Sequence, residues 1–280
     1  MKKLDVRDIT KNIKEMCIEV NYFLSEDMKK VFRQAVKSEK SSLGRQILIQ
    51  LEENLQIAEA DMIPICQDTG MTVIFLKIGQ QVSLIGGNLT EAVNDGVRQG
   101  YAEGYLRKSV VSDPLERENT KDNTPAVLHC EIVDGENLEI TVAPKGFGSE
   151  NMSRIFMLKP SEGIEGVKEA ILTAVRDAGP NACPPMVVGV GIGGTFEKCA
   201  LMAKHALTRN LNDRPEIPYI RNLEEEILEK INQLGIGPGG LGGTVTALAV
   251  NIETFPTHIA GLPVAVNICC HVNRHIHRII

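Results

Sequence analysis

The chain has 280 residues, of which 43% are hydrophobic, so it is long enough to bury a full core as one large domain or two modest ones. Its formal net charge is −6 and no basic block interleaves with aromatic residues, which argues against a nucleic-acid partner and favours a small-molecule substrate. No apolar run approaches the roughly 20 residues that span a bilayer, and the first residues lack the apolar stretch of a secretion signal. We therefore expect a cytoplasmic protein with no membrane contact.

Hydrophobic spacing predicts a helical lead-in over about residues 1–60. The further elements, in chain order, are a strand at 71–78, a helix at 88–106, strands at 127–133 and 138–142, a helix at 164–178, a strand at 186–190, helices at 195–207 and 223–233, and strands at 245–252 and 259–268. A turn at Asp134 and Gly135 predicts that the second and third strands pair as a hairpin. The pattern indicates a mixed α/β fold, a mixed β-sheet with flanking helices after the helix-rich region, in one domain spanning 1–280.

Three cysteines, Cys66, Cys183 and Cys270, lie in separate segments with the character of tight loops. Glycine and proline in such loops expose backbone N–H donors, which suit the sulfurs of an iron–sulfur cluster. A cluster with three protein thiolates would leave one iron open for substrate. The alternative is that these thiols only pack in a core, since the short spacings of ordinary cluster motifs are absent.

The total of seven cysteines is odd, and without a secretion signal it indicates reduced thiols and not a disulfide framework. Cys269 and Cys270 are adjacent, and neighbours in an extended segment point to opposite faces, so at most one of them can easily bind the same cluster. The residues alone do not choose between the two. Cys17, Cys130 and Cys199 are expected to be dispensable for a cluster, the latter two as packing thiols in a strand and a helix.

Gln67 and Asp68 follow Cys66 directly, so an amide and a carboxylate would lie beside any metal bound there. Asp68 is a candidate general acid or base, and the alternative is a turn-forming aspartate that bonds to nearby backbone. Arg107 begins a segment with further basic residues that suits bidentate recognition of a carboxylate, although most such charges are only solvated.

The segment Gly189–Gly194 matches the spacing G-x-G-x-x-G between a predicted strand and a predicted helix, which raises a nicotinamide-dependent oxidoreductase as a different class of function. The segment Gly235–Gly240 matches the same spacing, and two matches in a chain with 25 glycines weaken each of them. The alternative is that these glycines let the backbone approach a neighbouring group closely.

Several segments occur together in the order of one known family. They are Ile65–Gly70, Leu106–Val110, Asp122–Ala126, Lys145–Asn151, Cys183–Pro185, Gly191–Gly194, Leu241–Gly243 and Cys270–Arg274. Over nearly the whole chain they resemble the class I fumarase and tartrate dehydratase family of iron–sulfur hydro-lyases, specifically its α-type catalytic half. One departure is Phe147, which stands in the middle of the family's glycine-rich Lys-Gly-Gly-Gly-Ser loop.

The resemblance implies a [4Fe-4S] cluster bound by Cys66, Cys183 and Cys270, where the family pattern selects Cys270 over its neighbour. The open iron would bind the hydroxyl and one carboxylate of a four-carbon dicarboxylic acid and act on the leaving hydroxyl as a Lewis acid. Such an iron also implies inactivation by oxygen.

The resemblance further implies substrate contacts from Gln67, Asp68 and Arg107 and from the backbone of Gly148, with Asp68 as the proton-transfer group. In this family the histidine that corresponds to His258 reaches the site of a neighbouring protomer, which implies a contact between two α chains.

Fused members of the family continue into a second domain that supplies further substrate contacts, whereas this chain ends shortly after Cys270. We therefore expect a separate β subunit that completes the active site in a heterotetramer. The implied reaction is the interconversion of fumarate and (S)-malate, and the nearest alternative is the α subunit of an L(+)-tartrate dehydratase, which converts tartrate to oxaloacetate.

Overall fold

The computed structural model describes residues 2–280, which form the mixed α/β fold expected from the sequence. The helices are α1 (Val6–Tyr22), α2 (Glu26–Ser38), α3 (Ser42–Asp61), α4 (Leu89–Glu103), α5 (Phe147–Glu150), α6 (Gly163–Ala178), α7 (Phe196–Ala206) and α8 (Pro218–Gln233). The strands are β1 (Lys2–Asp5), β2 (Met71–Gly79), β3 (Val82–Ile85), β4 (Val127–Val133), β5 (Leu138–Lys145), β6 (Arg154–Leu158), β7 (Met186–Gly193), β8 (Ala247–Phe255), β9 (Leu262–Cys269) and β10 (Ile276–Ile279).

The described residues fold into two compact units, each made of separate stretches of chain. The first unit contains residues 2–25, 55–147 and 274–280, and the second contains residues 26–54 and 148–273. Each unit has its own four-stranded sheet and its own buried apolar cluster.

The sheet of the first unit has the strand order β10-β5-β2-β4, with the almost fully buried β2 near its centre. Its apolar face packs on α1 and α4, where Ile13 and Val97 are fully buried against Ile74 of β2 and Ile140 of β5. The N-terminal helices and the strand at 71–78 were therefore predicted correctly. A short parallel pair, β1 with β3, was not predicted.

The predicted hairpin of β4 and β5 is wrong, because β2 lies between these strands. β2 pairs in parallel with β4 and antiparallel with β5. The turn at Gly135 exists, but it wraps around the end of β2: Gly79 N–H donates to Asn137 O at 2.9 Å and Gln81 N–H donates to Gly135 O at 3.0 Å. A buried apolar strand takes the central place, since it then has a ladder on both edges, and the half-exposed β4 is left at the sheet edge.

The sheet of the second unit has the order β6-β9-β7-β8 and carries helices on both faces. Along β7, side chains alternate: Val188 and Val190 lie in the core formed with α6 and α8, whereas Gly189 and Gly191 face α7. A Cβ atom at Gly189 would lie 2.2 Å from Ala203 O of α7, and one at Gly191 would lie 2.1 Å from the carbonyl oxygen of Cys199.

These contacts give the segment Gly189–Gly194 a packing role. Its first five residues belong to β7 itself and not to a turn between strand and helix, which is where a dinucleotide pyrophosphate would be bound. The structure therefore agrees with the alternative given for this segment, in which the glycines let the backbone of β7 approach α7 closely. No helix within residues 2–280 has both the length and the apolar character needed to cross a bilayer.

Candidate active site

The loop that precedes β2 carries Cys66, Gln67 and Asp68. Cys66 is partly exposed, and its sulfur accepts the Asp68 N–H at 3.4 Å while its S–H group lies 3.6 Å from the Gln67 amide oxygen. The Gln67 side chain is exposed and Asp68 is half-buried. The three side chains predicted to act together are thus held in one tight turn in front of a buried strand.

Both oxygens of the Asp68 carboxylate are fixed by backbone donors. Gly70 N–H donates to Oδ1 at 3.0 Å, and Phe147 N–H, at the start of α5, donates to Oδ2 at 3.0 Å. A Cβ atom at Gly146 would lie 2.9 Å from Oδ2, so a glycine is needed where the two loops meet. The turn role proposed for Asp68 is therefore real, and it coexists with an oriented carboxylate that solvent can reach.

Arg274 binds the main chain of the same aspartate. Its Nη2 group donates to the main-chain carbonyl of Asp68, and the residue is 5% exposed. Its Nε and Nη1 atoms are buried and have no hydrogen-bond partner among residues 2–280. Buried donors without partners are rare in native proteins, and on a cation they are typical of a place where an anion binds.

A buried tyrosine fixes the end of this loop. The Tyr101 hydroxyl, from α4, contacts Thr69 O at 2.8 Å and Gly70 O at 3.0 Å, and it accepts the Thr72 hydroxyl at 3.2 Å. Asn123 Nδ2 also donates to Gly70 O, at 3.1 Å. Burial raises the pKa of the Tyr101 phenol, which keeps it protonated and able to donate. These buried bonds therefore fix the backbone of the loop at Thr69 and Gly70.

Arg107 joins this arrangement through its backbone. Its carbonyl oxygen accepts the Thr69 hydroxyl at 2.9 Å, while its side chain is exposed. The structure thus brings Arg107 to the Cys66 loop and leaves the guanidinium free to turn towards a ligand.

In the second unit, Cys183 is exposed and has a left-handed backbone conformation with φ of 52°. Its N–H donates to Pro180 O at 3.1 Å, and its carbonyl accepts two bonds from His271, one from the backbone N–H at 3.3 Å and one from Nδ1 at 3.0 Å. Since His271 directly follows Cys270, these bonds hold the segments of both cysteines together.

The two adjacent cysteines, Cys269 and Cys270, differ in burial. Cys269 ends β9, is buried and pairs with Val187 of β7, whereas Cys270 lies just beyond the strand and is partly exposed. Of the remaining thiols, Cys17 and Cys199 are buried. The expectation that Cys130 is a packing thiol is wrong, because it lies on the exposed edge strand β4.

The two other predicted site residues are exposed in the second unit. Gly148 lies in α5, and a Cβ atom there would be 3.8 Å from Asn181 O in the Cys183 segment, so its backbone lies beside that loop. His258 lies in the loop between β8 and β9, where its Nδ1 accepts the Ala260 N–H at 3.2 Å. In the neutral imidazole the proton is then on Nε2, which points a donor outward.

The three predicted cluster ligands are all cysteines, the residue type that ordinarily binds iron–sulfur clusters. Within residues 2–280 no three His, Cys, Asp or Glu side chains converge as ligands of one ion. Cys66, Cys183 and Cys270 lie in three loops, are exposed or partly exposed as residues and form no disulfide among residues 2–280. Thiolates are the ordinary ligands of clusters, in which separate irons take separate cysteines. The unpaired nitrogens of Arg274 also fit an anionic group next to the Cys66 loop.

Comparison with known proteins identifies the family. The model of the fumarate hydratase (Fumerase) family matches residues 10–279. The chain belongs to this family. It is therefore a hydro-lyase, an enzyme that adds or removes water at a carbon–carbon double bond.

Curated relatives cover almost the same length. A protein of Methanocaldococcus jannaschii that carries the provisional name L(+)-tartrate dehydratase subunit alpha is 44% identical over 267 residues, 93% of each chain. The protein named L(+)-tartrate dehydratase subunit alpha in Escherichia coli K12 is 32% identical over 277 residues, 98% of this chain and 91% of the relative. Both agree with membership of the fumarate hydratase family.

Several residues that hold the Cys66 loop in place were not identified from the sequence. Arg274 was noted only as the end of a motif, and Tyr101 and Asn123 were not singled out. Arg274 and Asn123 had a usable signal, since Arg274 closes the family segment Cys270–Arg274 and Asn123 lies within the family segment Asp122–Ala126; both residues are buried in the structure. Tyr101 had none, because an aromatic residue on the buried face of an amphipathic helix is normally core.

Proposed function

We propose that the chain is the α subunit of a two-subunit class I fumarate hydratase that interconverts fumarate and (S)-malate. The observation that carries the proposal is the Cys66–Gly70 loop, in which a solvent-accessible thiol stands beside a carboxylate whose two oxygens are already oriented. A hydratase that uses a metal centre combines a Lewis acid for the hydroxyl with a positioned group for the proton. In this loop Cys66 would be a ligand of the Lewis acid, and Asp68 would be the proton-transfer group.

Cys66, Cys183 and Cys270 would hold a [4Fe-4S] cluster, and the burial of Cys269 in β9 supports Cys270 as the ligand. When bound, the cluster supplies a Lewis-acidic iron for the leaving or entering hydroxyl. Cluster ligands must be reduced thiols, so this proposal places the protein in a reducing compartment such as the cytoplasm.

The chain's own groups would handle the dicarboxylate and the proton. Asp68 takes or returns a proton, with its oxygens held by the Gly70 and Phe147 N–H groups. Gln67 and Arg107, both exposed beside this carboxylate, bind a substrate carboxylate, and the Gly148 backbone offers a further polar contact. His258, which lies in an exposed loop, would reach the site of a second α chain.

A separate β subunit would complete the site. The relatives that cover nearly the whole chain are each named a subunit alpha, which supports a partner subunit in this protein too. We infer a heterotetramer of two α and two β subunits.

The second candidate function is that of an L(+)-tartrate dehydratase α subunit, and the names of the relatives favour it. (S)-Malate and L-tartrate differ by one hydroxyl group. The Cys66 loop would contact the part of the molecule that they share, so it could serve either reaction.

Anaerobic co-expression with a candidate β subunit tests both candidates. We expect an α–β complex that contains iron and hydrates fumarate, with L-tartrate turned over slowly or not at all. Faster turnover of L-tartrate would assign the second function. An iron-free complex that turns over neither acid would contradict both.

A further inference from the structure

Glu39 is a fully buried carboxylate in the second unit, far along the chain from every predicted site residue. It directly follows α2, and it accepts the backbone N–H groups of Ser41 at 2.8 Å, Thr244 at 2.9 Å and Val245 at 2.8 Å. The Thr244 hydroxyl adds a bond at 3.1 Å. Burial opposes ionisation, yet these donors outweigh it and hold the pKa of the Glu39 carboxyl below its ordinary value.

The residues that Glu39 binds end the glycine-rich loop that was the second match to a dinucleotide spacing. A Cβ atom at Gly243 would lie 2.8 Å from Glu39 Oε2, so the carboxylate packs directly on the loop. The loop closes on itself as well, since Gly242 N–H donates to Ile236 O at 2.9 Å and a Cβ atom at Gly237 would lie 2.2 Å from Gly242. Its shape therefore depends on the anchor at its end.

The other side of this loop contacts the Cys183 segment on both flanks of the cysteine. Gly239 N–H donates to Pro184 O at 2.9 Å, and a Cβ atom at Gly240 would lie 2.2 Å from Pro180 Cβ. The two prolines bracket Cys183, whose φ of 52° is a conformation that residues other than glycine rarely adopt unless neighbours impose it.

We propose that Glu39 is a positioning residue for Cys183, and that it acts through the loop Gly235–Gly243. The carboxylate fixes the loop end at Thr244 and Val245, the loop holds Pro180 and Pro184, and these hold the Cys183 backbone in its left-handed conformation and limit the movement of its thiol. The part of this inference that concerns cluster binding rests on the proposed function, whereas the coupling of Glu39 to the Cys183 thiol does not.

The test uses Glu39→Gln in the full chain, with Glu224→Gln as a matched control. An amide offers one acceptor oxygen, so at least one of the N–H groups now bound by Glu39 would face an NH2 donor. Glu224 is also a buried acceptor in the same unit, where it takes bonds from Arg209 at 2.7 Å and from Ile252 N–H at 2.6 Å, and neither of these bonds involves the glycine-rich loop.

The first readout is the alkylation rate of each thiol in the cluster-free chain, measured peptide by peptide with iodoacetamide. We expect the Cys183 rate in Glu39→Gln to rise by about threefold to tenfold, because losing a partner in a buried hydrogen-bond cluster shifts local opening by on the order of tenfold. The exposed Cys130 serves as an internal reference, and Glu224→Gln should leave both rates unchanged.

The second readout is the rate at which the anaerobically purified α–β complex loses iron to a chelator, which should rise in Glu39→Gln and not in Glu224→Gln. Gly240→Ala, which pushes on Pro180 without touching Glu39, should reproduce both effects and serves if Glu39→Gln does not fold. An unchanged Cys183 rate in folded Glu39→Gln, or an equal rise in Glu224→Gln, would overturn the inference. A wild-type complex without iron would refute the proposed function, while the alkylation result would still decide the coupling.

Discussion

Replacing Asp68 by asparagine separates its two roles, because the amide keeps the shape of the side chain but not its charge. The carboxylate now accepts Gly70 N–H on one oxygen and Phe147 N–H on the other. Asparagine has one acceptor oxygen, so one of these donors would face an NH2 group, at a local cost of about 1–3 kcal/mol. The loss of proton transfer should lower kcat by roughly 10²–10⁴-fold.

The assay is kcat and KM for fumarate hydration by the anaerobically purified α–β complex, with iron counted in the same sample. Asp113→Asn is the matched control, since Asp113 accepts the Leu115 and Glu116 N–H groups on a single oxygen, at 2.8 Å each, and an asparagine can keep both bonds. We expect the control to match the wild type. A fully iron-loaded Asp68→Asn enzyme with kcat within about threefold of the wild type would refute the role of Asp68 as the proton-transfer group.

Three further predictions concern the surroundings of this loop. Arg274→Lys should lower kcat by about tenfold at unchanged iron content, because it disturbs the buried bond to the Asp68 carbonyl; unchanged kcat would show that the bond has no part in catalysis. Tyr101→Phe should lower the free energy of unfolding by about 1–3 kcal/mol, measured by denaturant titration, since it removes a buried hydroxyl that contacts Thr69 and Gly70; a variant as stable as the wild type would contradict this. Exposure of the complex to air should abolish activity, with recovery on addition of ferrous iron and thiol, and undiminished activity after prolonged aerobic handling would count against an open iron.

Local patterns in the sequence predicted most helices and the buried strands. α4 and α6 follow apolar repeats of helical period, and β2 is a continuous run of β-forming residues bounded by glycines. The short strands β6 and β10 were missed because each is half-exposed and obtains its ladder from a strand far along the chain. The hairpin error has the same cause, since only tertiary packing places β2 between its neighbours.

In the candidate site, too, groups that are close in sequence could be predicted, whereas contacts between distant residues could not. Cys66, Gln67 and Asp68 are consecutive, so their association needs no knowledge of the fold. The contacts of Asp68 with Arg274 and of Glu39 with Thr244 join residues that the sequence separates by most of the chain. No periodicity or local motif encodes such pairs. For Glu39 the residue type itself predicts a solvent-exposed side chain, because glutamate is rarely buried without a partner.

The central claim is that Cys270, and not Cys269, is a ligand of the proposed cluster, and iron content in three cysteine variants tests it most directly. The anaerobically purified α–β complex should contain close to four irons per α chain, the number in a [4Fe-4S] cluster. Cys269→Ala and Cys130→Ser should keep this iron, and Cys270→Ala should lose it together with fumarate hydration. A folded Cys270→Ala complex that keeps its iron, or a folded Cys269→Ala complex that loses it, would contradict the account.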